Sequence, residues 1–272
     1  MSSWSSGPIK RPPAKPPAIL KIKHNNSGFF SCCSVQLDEI IRYFNKYKQL
    51  PPAIDTENQF DWYRPGTTET YFTERPLQIK YGRRIDYEHF HQYTDYMKLD
   101  YSGLELFIKR YFTPSEEIRG ILGDLEAKYE LDFNSTCVLF YRGNDKATET
   151  EIPDYQDYIV RAKQLLEKEH SLRFLVQSDE TEFIEAMETA FPAKCTVFRD
   201  EIRHIPKSLT TVDKVFKDDN FKFSKYYLAI TLIMSKCKHV ICGSGNCSLW
   251  IALFRGSSLN MQQFQKSKWI VA

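Results

Sequence analysis

Between residues 136 and 255 the chain alternates short, near-continuous apolar runs with amphipathic stretches of helical period, and few architectures accommodate that pattern. The runs are "TCVLFY", "LRFLVQS", "CTVF" and "HVICG". The stretches between and after them are "DYQDYIVRAKQLLEKE", "ETEFIEAMETAF", "FSKYYLAITLIMSK" and "CSLWIALF". Strands that are apolar on both faces must be covered on both faces, so the pattern predicts an α/β fold with a parallel sheet between two layers of helices. In such sheets a ligand binds outside the carboxyl ends of the strands.

The segments before this region are less regular. Residues 1 to 18 are rich in Ser, Pro and Lys and read as an extended or disordered tail. "AILKIKH" then reads as a strand, "NNSGFFSCCS" as a loop and "VQLDEIIRYFNKYKQ" as a helix. From 51 to 98 the chain is dense in Tyr, Pro and charge with weak periodicity, which predicts mixed irregular structure. In "YFTPSEEIRGILGDLEAKYEL", Thr113 as N-cap, Pro114 at the first helical position and Glu116 closing a capping box predict a bridging helix. The expected division is a tail at 1–18, an N-terminal lobe at 19–113 and a C-terminal lobe at 114–272.

Composition narrows the partners. Thirty-seven basic against 35 acidic side chains leave a formal charge of +2, so strong sequence-independent attraction to nucleic acid is not expected. No apolar run approaches the roughly 20 residues that span a bilayer, and the first residues lack the apolar core of a signal peptide. The expectation is a soluble, cytoplasmic protein without a membrane span. The seven cysteines are odd in number and sit mostly in apolar contexts, which reads as reduced core thiols. Cys237, Cys242 and Cys247, with His239 between them, lack the paired spacing of a zinc site.

Three strands end in distinctive polar residues that this fold places on one rim. "VLFY" leads to Arg142, Asn144, Asp145 and Lys146, and "FLVQ" leads to Ser178, Asp179 and Glu180. "VIC" leads to Gly243, Ser244, Gly245 and Asn246, a small-residue loop opening a helix. Free N–H groups and the dipole at that helix start favour an anion such as a diphosphate, and Arg142 could grip the same phosphates bidentately. Asp179 could accept from base N–H groups. Each feature also has a plainer reading: a turn, an ion pair, a helix cap. No D-x-D triplet, P-loop or G-x-G-x-x-G occurs, so the expected site is a nucleotide-diphosphate pocket with no metal or other cofactor.

These segments resemble the fucosyltransferase-like glycosyltransferase superfamily, which includes the nodulation fucosyltransferase, the core α-1,6-fucosyltransferase and the protein O-fucosyltransferases. "NNSGFFSCCSVQLDEIIRYF" resembles the family's first glycine-rich loop and helix, and "VLFYRGNDKATET" its strand ending in Arg-Arg-x-Asp-Lys. "FLVQSDETEFIEAMETAFP" and "MSKCKHVICGSGNCSLW" resemble its Thr-Asp-Asp segment and late phosphate loop. The resemblance implies a GT-B-like fold of two Rossmann-like lobes and an inverting, metal-independent transfer from a nucleotide sugar to an oligosaccharide or glycoprotein glycan. It places Arg142 on the β-phosphate, Asp179 on the base, and Gly245 and Asn246 along the diphosphate. Asn144, Ser178, Gly243 and Ser244 join them at the donor, as do Gly28 and Phe29 of the first loop. Lys146 and Glu149 fall beside the family's Lys and its catalytic Glu, with Glu149 one residue out of register. Glu149 is the first choice of base, ahead of Asp145, Glu151 and Asp38.

Two departures bear on the donor. The family's second Arg is Gly143 here, and its guanine-recognising His is Phe140. GDP-fucose follows from the family, with UDP-xylose or another UDP-sugar as the alternative. The Lys-Pro-Pro-Ala tail also resembles proteins of large algal viruses. Among the aromatic residues of 60 to 101, which include Tyr71, Phe72, Tyr87, His89 and His91, Trp62 and Tyr63 are the candidates for stacking an acceptor sugar. A non-catalytic nucleotide- or glycan-binding module is the alternative function.

Overall fold

The structure, a computed structural model, describes residues 15–23 and 27–272. The expected tail lies outside the described residues up to position 14. In chain order the N-terminal elements are β1 (Ile19–Lys21), α1 (Phe29–Tyr47), β2 (Ala53–Asp55), α2 (Thr68–Tyr71), β3 (Phe72–Thr73), α3 (Tyr101–Tyr111), β4 (Thr113–Pro114) and α4 (Glu116–Tyr129). There follow β5 (Thr136–Tyr141), α5 (Tyr155–Lys168), β6 (Arg173–Ser178), α6 (Thr181–Ala190), β7 (Cys195–Thr196), α7 (Val212–Val215), α8 (Asn220–Lys236), β8 (His239–Gly243), α9 (Asn246–Arg255), β9 (Met261–Gln265) and β10 (Lys268–Val271).

The expected α/β core is present. A six-stranded sheet has the order β10-β9-β8-β5-β6-β7, parallel throughout except for β10. All six residues of β5 are buried, which is why its sequence is apolar without alternation. The chain leaves β5 toward β6 and β7, then returns through α8 to place β8 on the other side of β5. That reversal puts α5 and α6 on one face and α8 and α9 on the other by the right-handedness of crossovers, and α5–α6, α8–α9 and α4–α8 are in contact. It also opens a crevice outside the carboxyl ends of β5 and β8.

Three expectations are corrected, and two elements lie outside them. The helix expected from Val35 begins at Phe29, because Phe29, Phe30, Cys32 and Cys33 are all buried and belong to its first turns. Thr113 and Pro114 pair with Phe72 and Thr73 instead of capping, and Ser115 caps α4 by accepting from the Ile118 N–H. A second Rossmann-like sheet was expected before residue 113. Among the described residues that segment has only the parallel pair β1–β2 and the short antiparallel pair β3–β4, because the Tyr- and Pro-rich chain beyond α1 supplies no further apolar runs. Finally, the β9–β10 hairpin and α3 were not anticipated.

The N-terminal segment is organised around aromatic side chains. Phe29 sits 4.7 Å from Tyr71 and 5.1 Å from Phe60, ring centre to ring centre. The Tyr71 contact is edge-to-face, an arrangement that adds about 0.5–1.5 kcal/mol beyond burial. The cluster anchors the start of α1, and α1 packs on α9. Tyr71, Phe72 and Tyr87 are therefore core residues. The cysteines are free, six of them buried and Cys195 half-buried. Burial pushes the Cys247 thiol up to about 11, so it is not a nucleophile at neutral pH. His239 pairs with Glu169 at 2.9 Å.

Candidate functional site

The crevice holds a cavity of about 250 Å³. Its lining includes Gly28 and Phe29 from the start of α1, Arg142, Asp145, Lys146 and Glu149 from the end of β5, and Gly243 through Asn246 from the end of β8. The structure thus brings together most of the residues chosen from sequence.

Two helix starts face this space. Gly245 is the N-cap of α9, and the N–H groups of its first turn have no intrahelical acceptor. Ser31 and Cys32 N–H close on the Gly28 carbonyl at the start of α1, while the Phe29 N–H is held by the Tyr63 hydroxyl at 2.8 Å. A Cβ on Gly28 would meet nothing within 4 Å, so the α1 start is open. The two helices are tied by Ser34, whose hydroxyl donates to Asn246 Oδ1 at 2.8 Å and accepts from the Trp250 indole at 2.9 Å. Each helix start carries roughly half a positive charge, and two aimed at one cavity favour an anion.

Arg142 and Lys146 add full charges. Arg142 donates from Nε to Asp179 Oδ2 at 2.8 Å and from Nη2 to Asp145 Oδ1 at 3.2 Å, with its side chain 30% exposed. Burial opposes its charge, but Asp179 and Asp145 outweigh it and keep the guanidinium protonated. Lys146 crosses the mouth of the β8 loop, and a Cβ on Gly245 would lie 3.1 Å from its Cε. Its ammonium donates to Glu149 Oε2 at 2.5 Å and to the Tyr93 hydroxyl at 3.3 Å.

The carboxylates differ in state. Burial raises the pKa of Asp145, only partly offset by Arg142. Burial also acts to raise Glu149, but the Lys146 ammonium and the Tyr93 hydroxyl outweigh it, and its pKa is lowered. Glu151 lines the cavity and accepts from Ser267.

Several sequence choices are placed elsewhere. Asn144 is buried and does not line the cavity. Its amide donates to the Asp179 carbonyl at 2.7 Å and accepts from the Ser208 N–H at 2.9 Å, so it staples two loops together. Asp179 is 4% exposed, with one oxygen on Arg142 and the other on the Gly143 N–H at 3.0 Å. It faces the arginine rather than an open base site. Ser178 accepts from the Glu180 N–H at 3.0 Å and lines only a smaller adjoining cavity with Asp179 and Phe140. Tyr63 does reach the cavity, but it is 2% exposed and its ring belongs to the aromatic core, so it has no face for a sugar; Trp62 is partly exposed on the cavity wall. Asp38 lies away from the cavity, between Arg42 and His89.

The structure also brings in residues that the sequence reading did not single out. Asp213, from α7, lines the cavity and accepts from the Tyr63 hydroxyl at 3.1 Å and from Arg203 at 2.7 Å. Tyr93, Thr211 and Tyr227 also reach the site. They lie on polar, aperiodic segments, or on an otherwise apolar helix, where spacing carries no functional signal.

No family model and no curated protein matches the chain. Solved structures do. One is NodZ alpha-1,6-fucosyltransferase soaked with GDP-fucose, at 12% identity and a TM-score of 0.38, over 61% of this chain and 52% of that one. Another is NodZ alpha-1,6-fucosyltransferase co-crystallized with GDP, at 12% and 0.37, over 61% and 50%. Fucosyltransferase NodZ from Bradyrhizobium gives 12% and 0.37, over 61% and 51%. The structural neighbours are therefore fucosyltransferases, the group that the sequence motifs resemble, and the chain spans about half the length of the structures it matches. At these TM-scores the likeness says nothing about the site.

Proposed function

We propose that the chain is a glycosyltransferase that binds a nucleoside diphosphate sugar in the crevice between β5 and β8 and moves the sugar to a glycan hydroxyl. One observation carries this reading: two helix starts, Arg142 and Lys146 converge on a single cavity at the point where the strand order reverses. Positive groups preset where negative charge develops stabilise a departing diphosphate, and losing one preorganised donor of this type, as at a protease oxyanion hole, costs about 10²–10³ in rate.

In this reading Arg142 meets the β-phosphate, Lys146 and the first N–H groups of α9 share the diphosphate, and Gly28 opens the α1 start to it. Gly243, Ser244, Gly245 and Asn246 form the wall, and Glu149 orients Lys146. These groups supply the charge a diphosphate needs, so the reaction is proposed to run without a metal cofactor; inversion is proposed only from the resemblance of the motifs. Residues 19–113 are proposed to form the acceptor side and 114–272 the donor side, with Trp62 on the acceptor path. GDP-fucose is the first donor to try. Phe140 in place of a guanine-binding His keeps UDP-sugars such as UDP-xylose in the set. A binding module without turnover is favoured by one observation, the locking of Glu149 onto Lys146.

The test is a thermal-shift panel of GDP, UDP, GDP-fucose, UDP-xylose, UDP-glucose and UDP-galactose with chelator present, run on wild type and Arg142→Ala. A ligand at one hundred times its dissociation constant stabilises by about 2.7 kcal/mol. A chelator-resistant shift by one nucleoside series, lost in Arg142→Ala, is expected. No shift from any of them would sink the reading. A shift without sugar release would leave the binding module.

A further inference from the structure

We propose that Asp213 is the base that removes the proton from the incoming hydroxyl, which arrives across Trp62; this rests on the nucleotide-sugar reading above. An open groove of about 570 Å³ adjoins the donor cavity and is lined by Trp62, Asp213, Lys214, Lys217 and Asn220. Only Trp62 and Asp213 line both spaces. A base for displacement at the anomeric carbon has to stand where acceptor and donor meet, and Asp213 is the carboxylate at that junction.

The other carboxylates of the donor cavity are bonded too, but none of them lines the groove. Asp145 bonds Arg142 on the side of the departing phosphate, Glu149 bonds Lys146 and Tyr93, and Glu151 accepts from Ser267. Asp213 is held by two donors. Arg203 meets its Oδ1 and is itself fixed by Asn220 Oδ1 at 2.6 Å and the Phe216 carbonyl at 3.2 Å, while Tyr63 meets Oδ2. A carboxylate offers about four acceptor positions, so two such bonds orient it and leave lone pairs for a hydroxyl. In the step, the acceptor hydroxyl gives its proton to Asp213 as its oxygen bonds to the anomeric carbon. The bond from that carbon to the β-phosphate oxygen breaks, and its electron pair leaves on the nucleoside diphosphate.

The experiment measures nucleoside diphosphate release from GDP-fucose, UDP-xylose, UDP-glucose and UDP-galactose by the whole chain, with water as acceptor, with and without sodium azide. Azide attacks without losing a proton, so it replaces a missing base. Asp213→Asn is expected to lower release by about 10²–10⁴-fold, to recover with azide and form a glycosyl azide, and to keep the thermal shift with nucleoside diphosphate. Should Asp213→Asn not fold, Asp213→Ser is read the same way. Unchanged release in the variant overturns the proposal, as does loss that azide does not restore while the nucleotide shift persists, since that marks a strut between Tyr63 and Arg203. Azide recovery in Glu149→Gln but not in the Asp213 variants moves the base to Glu149. If wild type neither binds nor cleaves any of the nucleotide sugars, the donor reading fails and this proposal fails with it.

Discussion

Arg142 and Asp179 are joined at 2.8 Å across the ends of two neighbouring strands, and the second oxygen of the same carboxylate holds the Gly143 N–H. One buried acid thus sets both the side chain and the backbone at the end of β5. Asp179→Asn keeps the shape but removes the charge and turns one acceptor into a donor. The expected cost is about 1.5–3 kcal/mol, the range for hydrogen bonds to charged groups, read by urea unfolding. The shift with nucleoside diphosphate should shrink as well, since Arg142 loses its support.

Arg142→Lys separates charge from geometry. Lysine keeps the positive charge but lacks the planar fork that can hold Asp179 and a phosphate together. Affinity for the nucleoside diphosphate should fall by about tenfold or more, measured by titration calorimetry. Affinity equal to wild type would mean that the guanidinium does not grip the ligand.

Gly143 stands where the family pattern has a second arginine, and the structure supplies a steric reason. A Cβ there would lie 2.0 Å from Glu180 Oε2 and 2.7 Å from Tyr141 Cε1. Gly143→Ala should destabilise by about 1–3 kcal/mol, as overpacking does. Combining it with Glu180→Ala should recover part of that loss in thermal unfolding.

Glu180 itself is fully buried beside the Tyr155 and Tyr141 hydroxyls. Burial raises its pKa, against the influence of Tyr155 and Lys207. A carboxyl raised in the folded state is harder to ionise there than in the unfolded chain. Ionised Glu180 therefore lowers stability at neutral pH, and that loss fades as pH falls through its raised folded value. Glu180→Gln should raise the melting temperature at pH 7 by about 2–4 °C, for about 1 kcal/mol in a chain of this size. The gain should diminish in acid.

Tyr63→Phe removes the hydroxyl that accepts from Phe29 N–H and donates to Asp213. The N–H left without an acceptor should cost about 1–3 kcal/mol. Nucleotide binding should weaken too, because the α1 start loses its tie to α7. Unfolding and thermal-shift titration on the same variant read both effects.

What the sequence by itself determined is the parallel core and the rim above it. The strands β5, β6 and β8 and the helices between them follow from apolar runs and helical period. The placement of Arg142, Lys146 and the Gly243–Asn246 loop on one rim follows from the rule that parallel strands share a carboxyl end. Local pattern did not reach further. The β9–β10 hairpin turns through Lys266 and Ser267, both with positive φ, so its turn lacks the Asn-Gly signal that would announce it. The start of α1, Phe29 and Phe30 set among Gly, Ser and Cys, reads as a loop until burial against Tyr63, Tyr71 and Trp250 is taken into account.

The partners of the charged groups were decided only by tertiary structure. Asp179 faces Arg142 from 37 residues away, and Asp213 comes to the junction beside Trp62 from about 150 residues further along the chain. A charge has no period and no propensity that points to its mate. Which carboxylate comes to stand between the two spaces depends on where folding brings distant segments, and spacing along the chain does not encode that.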